Sequence, residues 1–179
     1  MVYDTEALSL NILKTKGVSV QPRKDHCAAI YCNSMIVVGG QYQNGSVTND
    51  IINLDLEYND WSRVTIKQNV EPFMQSSCCT VQLIKKGHAA GKEGDVARMS
   101  DAILDGIYFF GGKNAKGELL NKLRYLKPIT SESKVMTVEW QKIKMQGVPP
   151  CGRVGHQLVF LPISQALIVV GGRNDEMCK

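Results

Sequence analysis

Histidine, cysteine and a Gly-Lys pair are the places where this chain could carry chemistry: His26, His88 and His156, cysteines at 27, 32, 78, 79, 151 and 178, and Gly91-Lys92. A histidine acting as a general base needs a group that orients it and a substrate within hydrogen-bond reach. Two of the three instead recur in one sequence setting, Arg23-Lys24-Asp25-His26 and Arg153-Val154-Gly155-His156, and the third sits in a stretch rich in Gly and Lys. Recurrence of that kind reads as structural repetition. Cys27 and Cys32 are too widely spaced for the short knuckle of a zinc site, and Cys78 and Cys79 point to opposite faces if their segment is a strand. Cysteines 27, 32, 78 and 79 fall in predicted strands where a small apolar residue is wanted, so free thiols are expected. Gly91-Lys92 imitates the end of a phosphate-binding loop, but the spacing back to Gly87 is one residue short, and Glu93 replaces the hydroxyl residue that would hold magnesium. The sequence therefore predicts no catalytic residue, no metal site and no cofactor.

The elements that would position any functional group are easier to read. Ile36-Val37-Val38 ends at Gly39-Gly40, Ile107-Tyr108-Phe109-Phe110 at Gly111-Gly112, and Leu167-Ile168-Val169-Val170 at Gly171-Gly172. Runs of β-branched and aromatic residues of this length are strands. A diglycine after each lets the backbone take a positive φ and approach a neighbour closely. Downstream of the first pair, Ile51-Ile52-Asn53-Leu54-Asp55-Leu56 leads through a turn to Trp61. Downstream of the second, Asn121 to Leu126 leads to Val138-Glu139-Trp140. Trp61 and Trp140 supply large apolar area near the outer edge of a thin sheet. Four short strands per unit, repeated, describe the antiparallel blade of a propeller.

Arg-x-x-His, an apolar run, Gly-Gly, a Leu-Asp-Leu strand and a tryptophan, in that order, resemble the kelch-repeat β-propeller family over nearly the whole chain. The landmark set is Arg23, His26, Gly39, Gly40 and Trp61 in one unit, Gly111, Gly112 and Trp140 in the next, and Arg153, His156, Gly171 and Gly172 in the last. The middle unit departs from the pattern. Gln75-Ser76-Ser77-Cys78-Cys79 stands where Arg-x-x-His is expected, which predicts a different bend at its first strand.

The fold predicted is all-β, a kelch-type propeller segment of two complete blades and two half-blades. Residues 1–22 form a trailing half-blade, 23–73 a blade, 74–152 a blade with an insertion at 85–105, and 153–179 a leading half-blade. Propellers usually close with about four to eight blades, so a fragment of a longer propeller protein is expected. The alternative is that two copies assemble one ring, because exposed half-blade edges invite self-association.

A formal net charge of +4 without a Lys/Arg cluster interleaved with aromatics gives no support to nucleic-acid binding. No stretch approaches the ~20 apolar residues of a membrane span, and the N-terminus lacks a signal-peptide pattern. A cytoplasmic setting without membrane contact is expected. The resemblance implies a protein-interaction module that is not itself an enzyme, with other proteins as partners. Its rivals are the propeller portion of a kelch-like oxidase whose catalytic residues lie outside this chain, and a small-molecule sensor. It also implies that the loops 41–48, 113–119 and 173 onward, with the inter-blade segments 14–22, 65–73 and 145–152, gather on one face around the channel. Tyr42, Lys113 and Arg173 are the candidate partner-binding residues there, since aromatics and long cations most often anchor interfaces.

Overall fold

The computed structural model describes residues 2–82, 103–131, 134–143 and 147–174. Its main strands fall into four groups. β1 (Val2–Asp4) and β2 (Ser9–Asn11) form a hairpin. β3 (Cys27–Tyr31), β4 (Ser34–Val38), β5 (Ile51–Asp55) and β6 (Asp60–Arg63) form an antiparallel meander, and β7 (Ser77–Val81), β8 (Gly106–Phe110), β9 (Leu123–Ser131) and β10 (Lys134–Gln141) form a second. β11 (Val154–Leu161) and β12 (Ala166–Arg173) close the series as another hairpin. No helix occurs among the described residues. This is the all-β propeller segment that the repeated diglycines predict.

The apolar runs of the two complete blades are buried on both faces, whereas in the last hairpin Ile168 and Val170 are exposed. Ile36, Val38 and Ile51 of the first blade pack with Phe73, Ile107, Phe109, Leu126, Val138 and Trp140 of the second. The opposite face of the second blade, Tyr108, Phe110 and Tyr125, meets Leu158, Phe160 and Val169 of the last hairpin. Phe73 presents edges to Phe109 and Trp140 at centroid distances of 5.9 and 6.1 Å, contacts worth about 0.5–1.5 kcal/mol each beyond their area. Trp140 is buried and Trp61 half-buried.

Several local expectations need correction. The inter-blade segments are not simply loops. Lys16–Gly17 pairs parallel with β6, and Thr65–Lys67 pairs parallel with β10, so each linker becomes the outermost strand of the blade that follows it. Gly17 permits the first of these pairings, because a Cβ there would lie 2.1 Å from the Trp61 carbonyl oxygen. β9 and β10 extend well past the predicted Leu126 and Val138, with Pro128 inside β9 and a register shift between Ile129 and Thr130. Cys32 stands in the exposed turn between β3 and β4 at φ 51°, not in a strand.

The middle blade also bends as its neighbours do. Asp25, Gln75 and Gly155 occupy matching positions with φ of 58°, 56° and 67°. The landmark substitution is compensated chemically. Arg23 and Arg153 each donate from Nη1 to the carbonyl of the first glycine of their pair, Gly39 and Gly171, at 3.3 and 2.9 Å. In the middle blade Phe73 takes the arginine position, and the Ser76 hydroxyl, at the histidine position, donates to the Gly111 carbonyl at 2.6 Å. Of the insertion at 85–105, residues 85–102 lie outside the described part. Its end is held where the Tyr125 hydroxyl donates to the Asp105 carbonyl and the Tyr108 hydroxyl exchanges hydrogen bonds with the Leu104 backbone.

Candidate interaction face

The diglycines set the loops that follow them. In the first two pairs the second glycine's N–H crosses to the next blade, Gly40 to the Phe73 carbonyl and Gly112 to the Arg153 carbonyl, both at 2.9 Å. The first glycine makes room for that bond. A Cβ on Gly39 would sit 2.6 Å from the Phe73 oxygen and one on Gly111 2.7 Å from the Arg153 oxygen, and both glycines have φ near +67°.

Beyond the first two pairs the chain makes the same closed hairpin. Tyr42 N donates to Ser46 O and Gly45 N to Tyr42 O, and in the next blade Asn114 N donates to Glu118 O and Gly117 N to Asn114 O. The loops end alike, with Thr48 N donating to Gly40 O and Leu120 N to Gly112 O. Two unlike sequences, Gln41 to Thr48 and Lys113 to Leu120, are thus held in one geometry. Lys113 and Arg173 immediately follow their glycine pairs; Lys113 faces Met74 in a two-residue antiparallel pairing and Arg173 faces Val154 at the end of the β11–β12 pairing, while Tyr42 stands one residue further along and faces Arg23. Lys113 is half-buried and Arg173 exposed.

Tyr42 is less free than the sequence implies. Its ring carries the Arg23 guanidinium at 4.9 Å, and its hydroxyl donates to Asp50 Oδ2 at 3.4 Å. Arg23 is buried and pairs with Asp50 at 3.0 Å. Tyr42 therefore walls a hollow of about 460 Å³ together with Pro22, Gln41 and Gln43. A shallower recess of about 640 Å³ lies along the inner strands, with Ile30, Cys79, Thr80 and Phe160 in its wall.

The groups first considered for chemistry are engaged in joining blades. His156 Nε2 donates to the Phe110 carbonyl at 3.0 Å, leaving Nδ1 unprotonated and without a partner among the described residues. Burial lowers its pKa. His26 is exposed, and His88 lies outside the described residues. Cys27 donates to the Ser76 carbonyl at 3.0 Å and Cys78 to the Ala28 carbonyl at 3.4 Å, so the two thiols stitch β3 to β7. Contact with Cys78 and burial push the Cys27 thiol far above its usual range. Cys79 packs with the core on the other face, as the alternation of a strand requires, and burial raises its pKa to about 11.

A profile of the Attractin/LZTR1 β-propeller matches residues 1–178. The chain belongs to this family. The Attractin/LZTR1 type is a kelch-type propeller, which agrees with the resemblance carried by the landmarks. Among curated proteins the chain is 27% identical to acyl-CoA-binding domain-containing protein 5 of Arabidopsis thaliana and 25% identical to protein 4 of the same name and plant, over 98% and 97% of this chain. It spans 22% of the length of each. Among solved structures it is similar to a chain in a cryo-EM structure of RAG in complex with one melted and one unmelted RSS. That match has TM-score 0.51 and 15% identity, and covers 80% of this chain and 39% of that one, a likeness of fold alone.

Sequence reasoning missed a second hollow in this Attractin/LZTR1-type segment. Arg124, on β9, is buried with its guanidinium 4.6 Å above the Phe73 ring, where the first blade has Ile52 at the matching position. The signal was present. A charged residue inside Leu123-Arg124-Tyr125-Leu126 breaks a run that the first blade keeps apolar as Ile51-Ile52.

Proposed function

We propose that this chain is a non-catalytic protein-interaction module that binds partner proteins through the loops following the glycine pairs. Membership of a propeller family of this kind is consistent with binding other proteins. The observation that carries the reading is the pair of hairpins at Gln41 and Lys113, which share one hydrogen-bond pattern while differing in sequence. Loops held by a rigid scaffold vary in side chain without cost to the fold, which is how binding specificity is placed on such surfaces. Tyr42, Lys113 and Arg173 supply one aromatic and two long cations on this face, types that often dominate interfaces. The reading includes a cytoplasmic setting, where thiols such as Cys27 stay reduced.

The test is capture of proteins from lysate by the chain, compared with the Tyr42→Ala/Lys113→Ala/Arg173→Ala variant and with a variant lacking residues 87–101. Loss of the captured proteins in the triple variant is expected, with a folded circular dichroism spectrum and a lowered melting temperature, because Tyr42 covers the Arg23–Asp50 pair. Capture that survives the triple variant and disappears with the deletion would move binding to the insertion and overturn the reading.

A further inference from the structure

A hollow of about 490 Å³ opens between the linker that joins the first two blades and the outer strands of the second. Val70 and Glu71 of the linker, Leu123 and Arg124 at the start of β9, Trp140 near the end of β10 and Ile143 just beyond it are in its wall. Lys122 and Lys142 also line it, so three cationic side chains meet a single carboxylate. Volumes of this order accommodate small organic ligands.

Arg124 sets its chemistry. The residue is 9% exposed, and its Nη1 has no hydrogen-bond partner among the described residues. A buried guanidinium nitrogen without an acceptor is costly, because it has lost water and gained nothing in exchange. Its carboxylate neighbour does not serve. Glu71 Oε1 accepts from Asn114 Nδ2 at 3.4 Å, and no ion pair between Glu71 and Arg124 forms. Phe73 covers one face of the guanidinium, which leaves the in-plane N–H groups as the directions in which an acceptor can be met.

We propose that this hollow binds a carboxylate carried on a short apolar stem, with the carboxylate on Arg124 and the stem against Trp140, Val70 and Ile143. A planar carboxylate matches the fork of an arginine. Val70, Trp140 and Ile143 in the same wall give an apolar stem a place beside that charge, which suits an organic carboxylate better than a hydrated inorganic phosphate. The carboxylate can come from a free small acid or from an acidic side chain of a peptide. The hollow adjoins the Lys113 hairpin through the Glu71–Asn114 hydrogen bond, but none of Tyr42, Lys113 and Arg173 lines it.

Calorimetric titration of the chain with phenylbutyrate, with phenylbutanol, and with the capped dipeptide acetyl-Phe-Glu-amide tests this. At least one of the two acids should bind about tenfold or more tighter than the alcohol, the advantage of a charge-assisted pair. Which acid binds identifies the source. Arg124→Met should erase the difference. Should that variant not fold, Glu71→Gln, which keeps an acceptor for Asn114, should tighten the acid and leave the alcohol unchanged. Absence of binding by both acids, equal affinity for acid and alcohol, a preference that survives Arg124→Met, or no effect of Glu71→Gln on the acid would each overturn the proposal.

Discussion

Replacing Gly39 by alanine separates two costs that diglycines usually hide together. Gly39 and Gly171 share φ of +68°, a conformation that costs an alanine about 1–2 kcal/mol through its Cβ. They differ in surroundings. The added methyl at Gly171 meets no described residue within 4 Å, whereas at Gly39 it lies 2.6 Å from the Phe73 carbonyl oxygen. That oxygen accepts the hydrogen bond from Gly40 N that ties the first blade to the second. To relieve the contact it must retreat by most of an ångström, which breaks the bond and leaves buried groups unpaired at roughly 1–3 kcal/mol. Gly39→Ala should therefore lose about 2–5 kcal/mol in total, a large single-residue effect, and Gly171→Ala about 1–2 kcal/mol. For a chain of this size the first corresponds to a fall in melting temperature on the order of 10 °C. Thermal and urea unfolding followed by circular dichroism measures both. Equal losses in the two variants would refute the argument that close approach between blades, more than φ alone, requires the glycine.

Three further outcomes follow from the same geometry. His156, whose pKa burial holds below its ordinary 6.5, stays neutral in the folded chain while the unfolded chain takes up a proton. Its destabilising effect is absent above pH 6.5 and grows as pH falls below that value, so the melting temperature should drop on acidification and drop less in His156→Gln. Asp50→Ala strands the buried Arg23 guanidinium, and unfolding titrations should show a loss of about 2–3 kcal/mol, toward the lower end for a broken buried pair because Asp50 is partly exposed. Arg124→Met removes an unpaired buried cation and keeps an apolar stem over Phe73. It should leave the melting temperature unchanged or raised in the absence of ligand, and a marked fall would show that Arg124 has a structural partner.

The strands of the two complete blades were legible because fully covered strands must be apolar on both faces, and their diglycines mark where one blade touches the next. The bend at Gln75 was not legible, since a side chain can occupy a left-handed position when the surrounding pairings fix the chain there. Nor were the linker strands, because a parallel pairing of two or three residues such as Lys16–Gly17 or Thr65–Lys67 imposes no alternation. The length of the β9–β10 hairpin was hidden by Pro128 and the polar residues that follow it. Of the candidate face, the sequence marked Tyr42, Lys113 and Arg173 by type, but not the ion pair beneath Tyr42. Arg124 escaped notice because a cation near a turn is ordinarily solvated.

The parallel pairing of each linker with the blade after it bears on how such chains can be cut and recombined. A graft that takes residues 23–73 as one unit carries away Thr65–Lys67, the edge that β10 needs, and leaves behind Lys16–Gly17, the edge that covers β6. Units drawn from 14 to 63 and from 64 to 143 keep each edge with its own sheet. Chimaeras spliced just after β6 should exchange blades without orphaning a row of backbone groups, whereas those spliced at the start of β7 transplant a blade whose border belongs to its neighbour.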